Sequence, residues 1–271
     1  MTRYKIILNP RAGNGSGERA ANQIEQLLRQ YNLEFDIVHT THPWHAVQLA
    51  KDAVVDKYHV IVAAGGDGTI NEVINGLMLA KQCGYNQFAM GVLCVGRGND
   101  FAHSIGIGFD AIGTIEANKL PRMGGFLSYF VAVLKTIFLY YKGPTVNLTF
   151  NNQTLTQPSL LVSIMNGRRL GGGFLMAPHA KPDDGLLDLC IADQVSRTRI
   201  FTLIPHFLRG TQATQPEIKT GQTAQITITA VEGTLPAQTD GEIISIDEKQ
   251  LSIELLPRQI EIIFRPPEIG Q

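Results

Sequence analysis

Along the first hundred residues, short β-branched runs alternate with segments whose apolar positions recur every three or four residues. Residues 4–8, 34–39, 58–64 and 89–95 read as strands. Ala21, Ile24, Leu28 and Tyr31 share one helical face, and Leu49 and Ala53 share another. Ile70, Val73, Ile74, Leu77 and Met78 make a third. Such alternation predicts a parallel sheet with right-handed crossovers. After residue 144 the period changes to two. Residues 145–150, 159–165, 186–192, 225–229, 251–255 and 261–264 read as strands, and Asn151-Asn152 can turn a hairpin. One helix, 197–208, should bend or end at Pro205. The expected fold class is α/β plus β. A parallel-sheet α/β domain covers residues 1–120, and a mainly antiparallel β domain, sandwich or barrel, covers residues 121–271.

In an open parallel sheet the loops after the strands share one edge, where ligands bind. Glycines mark several of those loops. Gly65-Gly66-Asp67-Gly68-Thr69 turns a buried strand into a helix, with Thr69 expected as N-cap and Glu72 completing a capping box. The first-turn N–H groups of such a helix attract anions, usually phosphate. Asp67 would repel a phosphate unless a cation lay between them, which points to Mg²⁺. The run 9–17, rich in glycine, reads as a loop after the first strand, and Gly96-Arg97-Gly98-Asn99-Asp100 as a turn into another helix. Asp183-Asp184-Gly185 and Asp240-Gly241 read locally as Asp-Gly turns. His42, Trp44 and His45 read as exposed loop residues.

Composition narrows the class. The 271-residue chain is 44% hydrophobic, so it can bury a core, and its net charge of −1 gives no basic footprint for nucleic acid. Cys83, Cys94 and Cys190 lack ligand spacing, which fits a reduced cytoplasmic protein. The most apolar segment, 126–141, is too short to span a bilayer and carries Lys135. It reads as a buried helix or as one lying on a membrane surface.

The run Gly65-Gly66-Asp67-Gly68-Thr69-Ile70-Asn71-Glu72-Val73-Ile74-Asn75-Gly76-Leu77 resembles the GGDGTxNEVxNGL signature of the diacylglycerol kinase catalytic-domain family. That family includes bacterial diacylglycerol kinase, YegS-type lipid kinases and sphingosine kinases. NAD kinases share only the GGDGT part. Four further segments resemble the family in the same order along the chain. They are Asn9-Pro10-Arg11-Ala12-Gly13, Gly96 to Ala102, the stretch from Gly171 to Asp188, and Asp240-Gly241-Glu242.

The resemblance implies an ATP- and Mg²⁺-dependent phosphotransferase acting on a lipid hydroxyl such as that of diacylglycerol. Nucleotide contacts are implied for Asn9, Pro10, Arg11, Ala12, Gly13, Thr40, Gly66, Asp67, Gly68, Thr69, Ile70, Asn71, Glu72, Arg97 and Asn99. Asp67 and Asp100 would position Mg²⁺ and phosphates, and Glu242 would act as general base. A second Mg²⁺, structural in character, would be held by Asp184 and the carbonyls of Lys181 and Leu186. The partner is a lipid met at the membrane surface by a cytoplasmic, peripheral protein without a transmembrane segment, and a homodimer is compatible with this. An NAD kinase-like enzyme and a binding protein without turnover are the alternatives. The chain departs from the family in having Arg97 in place of Thr or Ser. Relative to the family, a few dozen residues are missing before Gly108-Phe109-Asp110-Ala111, at the junction that frames the acceptor cleft there.

Overall fold

The computed structural model describes residues 2–95, 104–120, 125–140, 142–171 and 173–263, with the backbone alone at residues 14 and 125–129. In chain order the elements begin β1 (Arg3–Leu8), α1 (Ala12–Gln30), β2 (Glu34–His39), α2 (His45–Val55), β3 (Val60–Gly65), α3 (Asp67–Gln82) and β4 (Ala89–Cys94). Next come β5 (Ser104–Gly108), α4 (Phe109–Asn118), α5 (Gly125–Leu139), β6 (Thr145–Phe150), β7 (Gln153–Met165), β8 (Leu187–Asp193) and α6 (Arg197–Arg209). The chain closes with β9 (Ile218–Thr223), β10 (Gln225–Glu232), β11 (Ala237–Thr239), β12 (Glu242–Ser245), β13 (Gln250–Glu254) and β14 (Glu261–Ile263).

Two compact units result, residues 1–99 with 258–271 and residues 100–257. The first is a five-stranded parallel sheet in the order β14-β4-β3-β1-β2. β3 is buried along its whole length, as a strand with both faces covered must be. Ile7, Ile61, Ala63 and Met90 pack with α2 and α3, whereas Ile6, Leu8 and Val62 pack toward Ala21, Ile24 and Leu28 of α1. The C-terminal strand β14 closes the β4 edge, and Ile260 and Ile262 join the α2–α3 core.

The second unit is built on a nine-stranded antiparallel sheet in which β7 is the hub. Gln153–Pro158 pair with β6, and residues 159–165 pair with β8, while 161–165 also pair with β5. The β6–β7 turn uses Asn151 and Asn152, both at positive φ, the chemistry of a tight hairpin. Helices α4, α5 and α6 pack on this sheet.

Three expectations are corrected. α1 already begins at Ala12, so most of the glycine run lies inside the helix, where Gly17 meets the Asn9 carbonyl too closely for any side chain. Ser104–Gly108 forms strand β5 where a helix was expected to continue. Alternate Ile105 and Ile107 are paired on both sides, with β7 and β11. α6 runs through Pro205 to Arg209 and ends at Gly210 in the left-handed region.

Candidate active site

β1, β2, β3 and β4 end together on one edge of the parallel sheet, and the residues after them meet there. The Asn9 amide donates to the Ala64 carbonyl at 2.9 Å, and the Thr40 amide to the Leu8 carbonyl at 2.9 Å. Asn9 also closes its own turn, its Oδ1 accepting from the Arg11 amide, with Pro10 between them. Its Nδ2 donates to the Thr69 hydroxyl at 3.0 Å, tying the first loop to the glycine turn after β3.

That turn differs from the capping box the spacing suggested. Gly66 is the N-cap, Asp67 the first helical residue, and no side chain caps α3. Thr69 therefore falls inside the first turn, 4% exposed, and a Cβ on Gly65 would collide with it at 2.4 Å. Around Gly68, by contrast, nothing lies within 4 Å of where a Cβ would be. The turn is thus packed on its Gly65 side and open on its Gly68 side. The Thr69 and Ile70 amides donate to the Gly66 carbonyl at 3.0 and 3.1 Å, and the positive end of the helix dipole on the open side can receive an anion. Asp67 sits at the positive end of the helix dipole. Its charge also reaches the end of β4, where burial first, and then Asp67, raise the Cys94 thiol above its ordinary value.

The rest of the motif serves packing. Glu72 Oε2 accepts from the Ala46 amide at 3.0 Å and so caps α2, whose own N-cap, Trp44, lends no side chain. Gly76 lets α2 approach, since a Cβ there would stand 2.3 Å from the Val47 carbonyl. Ile70 is core, and Asn71 receives a hydrogen bond from Asn75. His42 and His45 stack at 4.7 Å beside the β2 edge. Arg97, Asn99 and Asp100 lie outside the described residues.

In the second unit, Asp240 and Gly241 turn β11 into β12 at positive φ and present Glu242, which is exposed. Asp240 Oδ1 accepts from the Ser104 amide at 2.8 Å. The Gly241 amide donates to Gln238 Oε1 at 2.8 Å, and Gln238 Nε2 donates to Asp110 Oδ2 at 3.0 Å. Asp110, 4% exposed, lines a partly open apolar cavity. Phe109, Val133, Phe174, Ile204 and Phe207 are among the side chains around it. Leu170, paired with Phe174 in an isolated bridge, also faces it. Asp110 and Gln238 were missed in the sequence, where their separation of 128 residues leaves no local signal.

The proposed structural Mg²⁺ site is a turn in which Asp184 Oδ1 accepts from the Leu186 amide at 2.9 Å and the Asp184 amide donates to the Lys181 carbonyl at 3.4 Å. Asp188, four residues on, has a buried Oδ2 with no hydrogen-bond partner. Its pKa is raised, first by burial and further by the Asp184 charge, against the Gln222 hydrogen bond and His179. An oxygen-only donor set with one orphaned carboxylate oxygen fits Mg²⁺. Among the described residues no three His, Cys, Asp or Glu side chains cluster as a metal site, so backbone carbonyls would have to contribute.

The sequence profile of the diacylglycerol kinase catalytic domain matches residues 3–122, and that of the YegS C-terminal NAD kinase beta sandwich-like domain matches residues 103–264. The chain is 28% identical over 248 residues to "Diacylglycerol kinase" of Bacillus subtilis (strain 168), covering 78% of this chain and 80% of that one. It is 30% identical over 306 residues to "Probable lipid kinase YegS-like" of Citrobacter koseri, covering 96% and 95%. An alignment longer than the 271-residue chain means that this relative carries residues with no counterpart here. The fold matches a crystal structure of a diacylglycerol kinase from Bacillus anthracis str. Sterne with a TM-score of 0.74 at 23% identity, over 98% of this chain and 97% of that one.

Proposed function

Because this chain belongs to the diacylglycerol kinase catalytic-domain family and carries its YegS-type β-sandwich domain, we propose that it is an ATP- and Mg²⁺-dependent lipid kinase. One observation carries the reading most. Among its described lining residues the apolar cavity has one carboxylate, buried Asp110, which is linked through Gln238 to the turn that presents Glu242. An apolar space with one polar reader next to an exposed base suits an acceptor that is mostly hydrocarbon and ends in a hydroxyl.

The roles divide between the two units. The Thr40 and Thr69 hydroxyls and the open side of the Gly66–Thr69 turn would face the nucleotide phosphates, with Asn9 and Pro10 to Gly13 alongside. Asp67 holds a cation against them, together with Asp100, while Arg97 and Asn99 add nucleotide contacts. Mg²⁺, when bound, would neutralise the charge on the transferring phosphoryl group. Lys181, Asp184 and Leu186 would hold the structural ion. In the transfer, the acceptor oxygen bonds to the γ-phosphorus, the bond to the ADP oxygen breaks, and Glu242 takes the hydroxyl proton. The protein meets its lipid peripherally, from the cytoplasm. Among the described residues no helix is long and apolar enough to cross a membrane.

The test is incubation of the purified protein with γ-labelled ATP, Mg²⁺ and diacylglycerol in mixed micelles. Labelled phosphatidate is expected. No labelled product from diacylglycerol or from a total lipid extract would overturn the reading, and labelled NADP from added NAD would replace it with the NAD kinase alternative.

A further inference from the structure

Helix α6 is apolar on two sides. Inward, Ile200, Leu203 and Phe207 are buried against the cavity, as any core helix requires. Outward, Arg197, Phe201, Pro205 and Arg209 recur at four-residue intervals and are all exposed, so they lie along one solvent-facing line. Phe201 is 40% exposed, and its ring lies 6.1 Å from that of Phe138, itself 64% exposed and followed by Leu139 at 62%. Arg197 fixes the two helices to each other, donating from Nε and Nη2 to the carbonyls of Ile137 and Phe138 at 3.2 and 3.3 Å. Three large apolar side chains from two helices are therefore held at one place on the surface rather than scattered.

Charge decides what could cover them. Neither α5 nor α6 contains an Asp or a Glu. Arg199 is neutralised by Glu217, which leaves exposed Arg209 and Lys142 beside the apolar cluster. A second copy meeting the same face across a two-fold axis would bring cations against cations. An anionic bilayer offers phosphates to the rim and hydrocarbon to the centre. The opposite face of the same helix walls the cavity.

We propose that the α5–α6 face docks the protein on anionic lipid bilayers. Phe138, Leu139 and Phe201 enter the boundary between headgroups and acyl chains, and Lys142 and Arg209 meet lipid phosphates. The purpose of such docking rests on the lipid-kinase reading, so binding and turnover are measured separately. The full chain is sedimented with vesicles of phosphatidylcholine alone or mixed equally with phosphatidylglycerol. It should bind the mixed vesicles, and F138S/L139S/F201S should bind them about tenfold more weakly. K142E/R209E should weaken binding to the mixed vesicles about as much and remove most of its salt dependence. Both variants should lose phosphorylation of diacylglycerol in vesicles but keep that of a dissolved short-chain diacylglycerol.

Binding without any kinase activity would sink the kinase reading and leave the docking face standing. A wild-type chain that ignores the mixed vesicles, or variants that bind them as wild type does, would overturn the proposal. So would a wild-type dimer that the triple variant converts to monomer, since a second copy would then cover the face. If the triple variant fails to fold by circular dichroism, K142E/R209E decides alone, and unchanged binding overturns the proposal.

Discussion

Asp67 and Glu242 sit in contrasting surroundings, and the contrast sets what their replacement should do. Asp67 opens α3 half-buried, where a carboxylate gains up to about 2 kcal/mol from the helix dipole. Asp67→Ala should therefore leave the melting temperature within a few degrees of wild type while abolishing phosphoryl transfer. Unchanged turnover would remove Asp67 from the site. Glu242 is exposed at the start of β12, and its loss cannot cost a packed core. Glu242→Gln should lower turnover at saturating ATP by roughly 10²–10⁴-fold, the usual worth of a positioned general base, and leave ATP affinity unchanged by calorimetry. A fall in affinity with turnover intact would move Glu242 to the nucleotide. At this scale the sequence was legible where a motif is contiguous. Gly66, Asp67 and Thr69 were placed at a strand-to-helix turn, and that is where they lie. Asp110 and Gln238 were not legible, because only the pairing of β5 with β11 brings them together.

The start of α3 shows how an element can shift the meaning of a spacing. Thr69 and Glu72 have the separation of a capping box, yet the helix begins at Asp67, and Glu72 reaches across to α2 instead. Glu72→Ala should cost about 1 kcal/mol, like the loss of any N-cap, and lower the melting temperature by roughly 4–8 °C. An unchanged melting curve with weakened ATP binding would give Glu72 to the nucleotide. Between α4 and α5, Glu116 takes Lys119 Nζ at 2.6 Å and Lys135 Nζ at 2.5 Å. This is why Lys135 can sit within the most apolar helix of the chain. Hydrogen bonds from Lys119, then Lys135, hold the Glu116 pKa below its ordinary 4.5. A depressed carboxylate stabilises the fold fully above its unfolded value. That contribution is lost as pH falls through the folded value. The melting temperature of Glu116→Gln should therefore lie below wild type at neutral pH and converge with it as pH falls through the depressed folded value. A gap that persists or widens in acid would contradict the pairing.

At the scale of the molecule, the switch from helical to two-residue periodicity was the readable feature, and it yields the parallel sheet and the antiparallel sheet in the right order. Strand β5 was harder to read, since Ser104–Gly108 carries two glycines and its sheet neighbours lie far along the chain. The return of the C-terminus to the first sheet was not readable from the pattern. Three paired residues, Glu261–Ile263, leave almost no period to detect.

That return makes the first unit discontinuous, and a test follows from it. β14 pairs with β4, Ile260 and Ile262 pack against the α2–α3 core, and Lys81 Nζ donates to the Gln259 carbonyl at 2.7 Å. Ending the chain at Pro257 would strip all three. Two half-buried isoleucines are worth about 2–3 kcal/mol together, half their full burial value. The bare edge of β4 would also present unpaired backbone groups, a template for aggregation. The first unit should melt roughly 10 °C or more lower in the truncated chain. Mg·ATP binding should fail with it, because the Gly66–Thr69 turn stands at the end of β3, the strand next to β4. The second unit should keep its own transition, since residues 100–257 hold all of its strands. Differential scanning calorimetry of the truncated chain, with and without Mg·ATP, reads both. A single unshifted transition would show that β14 contributes nothing to the first unit.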